Sequence, residues 1–339
     1  MEVEEILKNL IRFKTYRDYE NKEIMNYLQK LLEKKGFKTE LRSKCLVMGI
    51  KEKYNLGFIG HTDTVSDGSD WKFNPFELVE NNNKLYGLGT CDMKGGIAAI
   101  IKAVLDIDWN KLKYGIKLIF TYDEEIGFKG IKEINGRNIE IPQNVIIGEP
   151  TNNEIMMGSK GLLEFKIEFK GKSAHSSNPD KGKNAIENSI TFLNEFNEFY
   201  NRLKLEVDKR FDIPYTTMNI GKIEGGKSIN IVPDNCLIFI DFRIINNEHR
   251  IKILKEIKKL KIKYNYKYVI INDIKSFIGD NEKCKTTNFI TEASLIKSKN
   301  RYILGPGPLN AHEANEYITR ESLDRLVIQY KQIINELCL

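Results

Sequence analysis

Four short polar stretches each follow an apolar run: GHTD (60–63) after LGFI, DEE (123–125) after IKLIFTY, GEPT (148–151) after NVII and GPGPLNAH (305–312) after YIL. In an open α/β sheet, ligands bind beyond the carboxyl ends of the strands. If these runs are parallel neighbours, His61, Asp63, Glu124, Glu125, Glu149 and His312 meet at one edge. Asp92, in the glycine-rich loop YGLGTCDMKGG (86–96) ahead of a helix, can join them. The set holds acids and imidazoles only, with no serine or cysteine arranged as a nucleophile beside its base. Crowded carboxylates repel one another and take up protons unless cations neutralise them. Mixed His and Asp/Glu donors suit zinc and related divalent ions. Two ions bridged by one carboxylate would use this many ligands.

Each residue also has a plainer reading. His61 alone is a packed histidine after a strand. With Asp63 two positions on, in an extended segment, both side chains face one way and the acid can orient a ligating imidazole. Glu124 and Glu125 read as a solvated turn or, if extended, as a pair pointing opposite ways, one to ligate and one to act as base. Glu149 could be a turn acid and His312 a loop histidine. His175, in KSAHSSNPDKGKNAI, reads as a loop residue before a helix, His249 as a helix-surface residue and Cys91 as a small buried side chain. Arg243 ends a strand, where it can pair with Asp241 or recognise a substrate carboxylate. The glycine loop is not a phosphate loop. Lys94 precedes Gly95-Gly96 without a following Ser or Thr, and Asp92 stands where G-x-G-x-x-G needs its last glycine. Its glycines allow a tight turn and close packing before the helix.

The elements that position these residues follow from periodicity. Helices are predicted over 4–14, 21–36 and 97–107, and strands over 46–50, 56–59, 116–122 and 144–147. Strands separated by helices indicate an α/β fold with a mostly parallel sheet. Near Gly158 the pattern changes. A strand from Leu162, a helix over 183–203, strands over 215–223 and 236–244, a helix over 248–261 and a strand over 266–272 give the ferredoxin-like β-α-β-β-α-β order. The expected division is therefore 1–157 with 274–339 as the metal-binding domain and 158–273 as an inserted domain. The tail reads as a helix over 287–298, a strand at 302–304 and an amphipathic helix over 319–337. Thr319 should cap that last helix, with Ile318 and Leu323 at staple spacing.

Bulk properties exclude several classes. The chain has 339 residues with 53 basic and 47 acidic side chains, a net charge of +6, and 41% hydrophobic residues. The lysines are scattered and interleaved with apolar residues at helical spacing, so no nucleic-acid partner is expected. Five widely spaced cysteines without C-x-x-C argue against a disulfide framework and for a reducing compartment. No apolar run approaches membrane-spanning length and the charged N-terminus has no signal-like core, so a cytoplasmic location is expected.

Taken together and in order, GHTDTV, YGLGTCDMKGG, DEEIG, GEPT, GKSAHSSNPDKGKNAI and the histidine of NAHEANEY resemble the M20 family of di-zinc peptidases and amidohydrolases. Within it the chain is most similar to acetylornithine deacetylases and succinyl-diaminopimelate desuccinylases. TEAS (291–294) and ILGPGPLNAHEANEYI (303–318) resemble the deacetylase branch, whose reaction belongs to arginine biosynthesis.

The resemblance implies two divalent ions, zinc or cobalt. One would be held by His61 and Glu149, the other by Glu125 and His312, with Asp92 bridging. Asp63 would orient His61, and Glu124 would take a proton from the water shared by the ions. His175 would stabilise the oxyanion from a lid domain that also forms a homodimer. Arg243, Asn230, Gly305 and Gly307 would bind the substrate. The implied reaction is hydrolysis of an N-acyl amino acid, N-acetylornithine first. Desuccinylation, cleavage of a small peptide and a non-catalytic ligand-binding homologue are the alternatives. FKTYRDYE stands where the family carries a proline-serine motif, and the chain is somewhat short; both bear on substrate identity rather than on the ligands.

Overall fold

The strand Tyr54–His61 is buried from Leu56 to its end, as befits a strand covered on both faces. In the computed structural model, which describes residues 1–16, 21–279 and 284–339, it lies inside a six-stranded sheet. It pairs in parallel with Gly115–Thr121 on one side and Asn144–Ile147 on the other. Asn300–Ile303 adds a further parallel strand beside Asn144–Ile147. Leu46–Ile50 and then Lys38–Arg42 extend the opposite side in antiparallel fashion. The strands that follow Tyr54–His61 in this sheet therefore fall on both sides of it. That reversal is a switch point, where strand ends open a crevice for a ligand.

Helices cover this sheet because their sequences are apolar on the sides that meet it. Lys94–Asp106 is buried along almost its whole first two turns. Arg320–Cys338 lays Tyr330 edge-on against Phe58, with ring centroids 5.2 Å apart. Thr319 caps that helix, its hydroxyl accepting the Ser322 N–H at 3.1 Å, and Ile318 and Leu323 are both fully buried. A small three-stranded sheet, ordered Tyr317–Thr319, Lys84–Tyr86, Val79–Asn81, stands apart from the main one.

The chain forms two compact units, Met1–Met157 with Thr291–Leu339, and Gly158–Ile290. The second is a four-stranded antiparallel sheet in the order Thr217–Gly225, Asn235–Ile244, Gly161–Lys170, Lys267–Ile274, with helices Ala185–Leu203 and Asn247–Tyr264. This is the ferredoxin-like arrangement. Strict alternation of burial along Asn235–Ile244 puts one face on an aromatic core that includes Phe165, Phe169, Phe192 and Phe242. The unit continues past residue 273 through Phe277–Ile278, which pairs with Gly158–Ser159.

Three local expectations change. Residues 287–298 are not one helix: only Glu292–Ser294 makes a single 3-10 turn. The stretch straddles the two units, with Thr287 bonded to Gly158 and Lys160 in one, and Thr291 capping the turn in the other. His249 is not on a helix surface; it is buried, with Nδ1 2.8 Å from the Thr216 hydroxyl and Nε2 3.2 Å from Glu206. The DEE stretch is not extended. Asp123 takes a left-handed conformation (φ 61°) and its carbonyl accepts the Gly127 and Phe128 N–H groups, so Glu124 and Glu125 stand in a turn. Residues 17–20 of FKTYRDYE lie outside the described residues.

Candidate metal centre

The strand ends deliver the donors. His61 is the last residue of its strand, fully buried, with Nε2 3.0 Å from Asp92 Oδ1 and 3.6 Å from Glu149 Oε1. His312, in the loop after Asn300–Ile303, points its Nε2 at the other oxygen of Asp92, Oδ2, at 3.4 Å. The same nitrogen lies 3.0 Å from the Glu125 carboxylate. Asp92 thus offers one oxygen to each imidazole, and each imidazole has a glutamate of its own. Glu124 sits on the His61 side, where single donor atoms of His61, Glu124 and Glu149 lie within 4.8 Å of one another. His61, Asp92 and Glu125 make a second such group.

Asp63 links the two sides. The nearer contact to His61 Nδ1 is its main-chain carbonyl at 3.0 Å, with carboxylate Oδ1 at 3.5 Å. Its Oδ2 accepts the Glu125 N–H at 3.2 Å. A carbonyl acceptor at Nδ1 keeps a proton there, so a cation that displaced the proton on Nε2 would meet that nitrogen's lone pair, the tautomer a ligand needs.

The electrostatics show what such crowding costs. Burial, then the charge of Asp92, pushes the Glu149 carboxyl well above the usual carboxylate range. Burial also raises Glu124 far up, with Glu125 and Asp92 adding to it. Burial opposes charge on His61, yet Glu149, Asp63 and Asp92 raise its pKa well above the imidazole range. Hydrogen bonds to Asp92 and Glu125 raise His312 to about 10. Without a counter-charge, this crowding favours protons on Glu124, Glu149 and the two imidazoles. Divalent cations on the same oxygens and nitrogens would replace those protons, so the donor set fits a two-ion centre.

Two acids went unread in the sequence. Glu316 is 1% exposed and its carboxylate accepts three main-chain N–H groups of the glycine loop, from Gly89 (2.9 Å), Cys91 (2.6 Å) and Asp92 (3.0 Å). The available signal was a second acid four residues after His312, but the strand behind it, Tyr317–Thr319, is too short to show a period. Glu292 of TEAS is fully buried, with neither carboxylate oxygen hydrogen-bonded among the described residues, and burial raises its pKa to about 7.

The remaining candidates divide between the units. Gly305 and Gly307 are buried against the 148–152 turn; a Cβ would meet the Glu149 carbonyl at 2.2 Å and Asn152 Oδ1 at 2.3 Å. In the second unit, His175 is exposed and pairs across an isolated bridge with Ile231, next to Asn230, whose carbonyl accepts the Ser176 N–H at 3.0 Å. The Ser177 N–H donates to His175 Nδ1 at 3.2 Å, so the neutral ring carries its proton on Nε2. Arg243 pairs through Nε with Asp241 at 3.2 Å. Cys91 is buried, as are the other four cysteines, all free.

Residues 57–336 match peptidase family M20/M25/M40. The chain is 31% identical to acetylornithine deacetylase of Pasteurella multocida (strain Pm70), over 95% of this chain and 92% of the relative. Among solved structures, a tripeptidase from Staphylococcus aureus superposes with a TM-score of 0.80 at 21% identity, covering 99% of this chain and 97% of that one. A dinuclear metal-binding peptidase of family M20 from Bacillus subtilis superposes with a TM-score of 0.70 at 14% identity, over 99% and 97% of the two chains.

Proposed function

The chain belongs to peptidase family M20/M25/M40 and is a hydrolase of amide bonds; from that premise we propose that it deacylates an N-acyl amino acid, N-acetylornithine first, with two divalent cations such as zinc or cobalt. The observation that carries the metal part is Asp92, whose two oxygens face two separate imidazoles, each beside its own glutamate. In this reading His61 and Glu149 would hold one ion and Glu125 and His312 the other, with Asp92 shared between them. Ions so placed would lower the pKa of a water and polarise an amide carbonyl.

The chain's own groups do the rest. Glu124, on the His61 side of the cluster, takes the proton released by the attacking water and passes it to the leaving amine nitrogen. Its buried setting suits that role, since burial raises the affinity of its carboxylate for a proton. Asp63 fixes the His61 tautomer. His175, with its proton on Nε2, is the donor we assign to the tetrahedral oxyanion, a role that oxyanion donors fill by hydrogen bonding. Asn230 and Arg243 are the groups we assign to the substrate carboxylate, and Gly305 and Gly307 are likewise assigned to substrate binding. A cytoplasmic homodimer formed through the Gly158–Ile290 unit completes the proposal.

The acetylornithine assignment is supported by the relative from Pasteurella multocida. Its test is a panel of N-acetylornithine, N-succinyl-diaminopimelate and dipeptides with added zinc or cobalt. The highest kcat/KM is expected on N-acetylornithine. Clear dipeptide turnover without deacetylation would overturn the assignment and leave the metal chemistry standing.

A further inference from the structure

Three N–H groups on one short loop that converge on a point form an anion-binding concavity, the device by which glycine-rich loops hold phosphate. The loop 87–92 has this form. Gly89 is left-handed (φ 84°), and the N–H groups of Gly89, Cys91 and Asp92 point to one place. The place is filled from within the chain by the carboxylate of Glu316. Sheet register puts it there. Tyr317 lies opposite Tyr86, and the antiparallel ladder runs one step further, with the Gly87 N–H on the Glu316 carbonyl at 3.1 Å. At 1% exposed, Glu316 is itself shut off from bulk water.

We propose that Glu316 is a positioning residue for the metal centre: its carboxylate is the internal acceptor that shapes the glycine loop and sets the main chain of Asp92. This rests on the metal reading above. Oε1 accepts from both Cys91 and Asp92, so the backbone on either side of the Cys91–Asp92 peptide is fixed by one oxygen. The Asp92 side chain then starts from a defined point and can present one oxygen to each ion. A glutamine at 316 has the same size but turns an NH₂ group toward N–H donors, so at least one donor is left unpaired and buried.

The test uses the full chain loaded with cobalt(II), comparing parent, E316Q and E316A. Ions per chain are counted by atomic emission, and coupling between the two cobalt ions is read by electron paramagnetic resonance. Parent is expected to take two coupled ions. E316Q is expected to bind the second ion about 10–100-fold more weakly, or to lose the coupling, and to drop in kcat with KM little changed. In E316A, formate should refill the nest and restore coupling, whereas formamide, of the same shape but uncharged, should not. E316Q or E316A with two ions, parent coupling and parent kcat would overturn the positioning role alone. Equal rescue by formate and formamide would also overturn it. A parent chain that takes fewer than two ions would overturn this proposal together with the metal reading.

Discussion

Glu124 and Glu125 are chain neighbours, the first buried and the second half-buried, and they face different partners. Glu125 meets His312 at 3.0 Å, while Glu124 groups with His61 and Glu149. The division comes from the left-handed turn at Asp123, not from strand alternation. Glu124→Gln keeps the volume and removes the base. It is expected to lower kcat by ~10²–10⁴-fold while leaving ions per chain unchanged, with turnover and metal analysis run on the same preparation. Parent-level turnover would remove Glu124 from the mechanism. At this scale the sequence was legible where a residue's type and its place after an apolar run agreed, as for His61, Glu149 and His312. Glu316 and Glu292 escaped because their burial depends on what packs around them, and a buried acid looks like a surface acid in a string of letters.

At the scale of elements, strongly patterned segments were legible and short ones were not. Alternation in LLEFKIEFKG marked a strand of the second sheet, and the apolar runs 46–50, 116–122 and 144–147 are sheet strands within a residue or so. The three-residue strands Lys84–Tyr86 and Tyr317–Thr319 carry no period, although they place the loop of Asp92. His249 was misread for a related reason. Its helix pattern gives no warning that Thr216 and Glu206 close over the first turn.

The buried imidazole has a pH consequence. Burial lowers the His249 pKa against the opposing pull of Glu206. The unfolded chain therefore takes up the proton first as pH falls, so stability is lost below about 6.5. His249→Gln should flatten the pH dependence of the unfolding midpoint in that window. An unchanged slope between about pH 5 and 7 would mean that His249 is not the titrating group.

At the scale of the whole molecule, the residues of the proposed metal centre come from strand ends and loops spread from His61 to His312, so cations held by them would bind the folded state in preference to the unfolded one. Raising free zinc to about 100 times its Kd should stabilise the parent by about 2.7 kcal/mol, seen as a higher thermal midpoint. His61→Ala should abolish most of that rise. A midpoint indifferent to zinc in the parent would argue against a site formed by folding. The general architecture was readable at this scale because the order of strand and helix changes character once, near Gly158, and changes back after the second unit. The span of His61 to His312 also has a bearing on synthesis. A ribosome releases His61, Asp92, Glu125 and Glu149 long before it releases His312 and Glu316. The nascent chain thus carries an acid-rich half-centre that lacks both its second imidazole and the carboxylate that shapes the Asp92 loop. In the proposed reading the second imidazole is encoded only after the Gly158–Ile290 unit, so the two-ion centre closes only once the segments on either side of that unit have folded together.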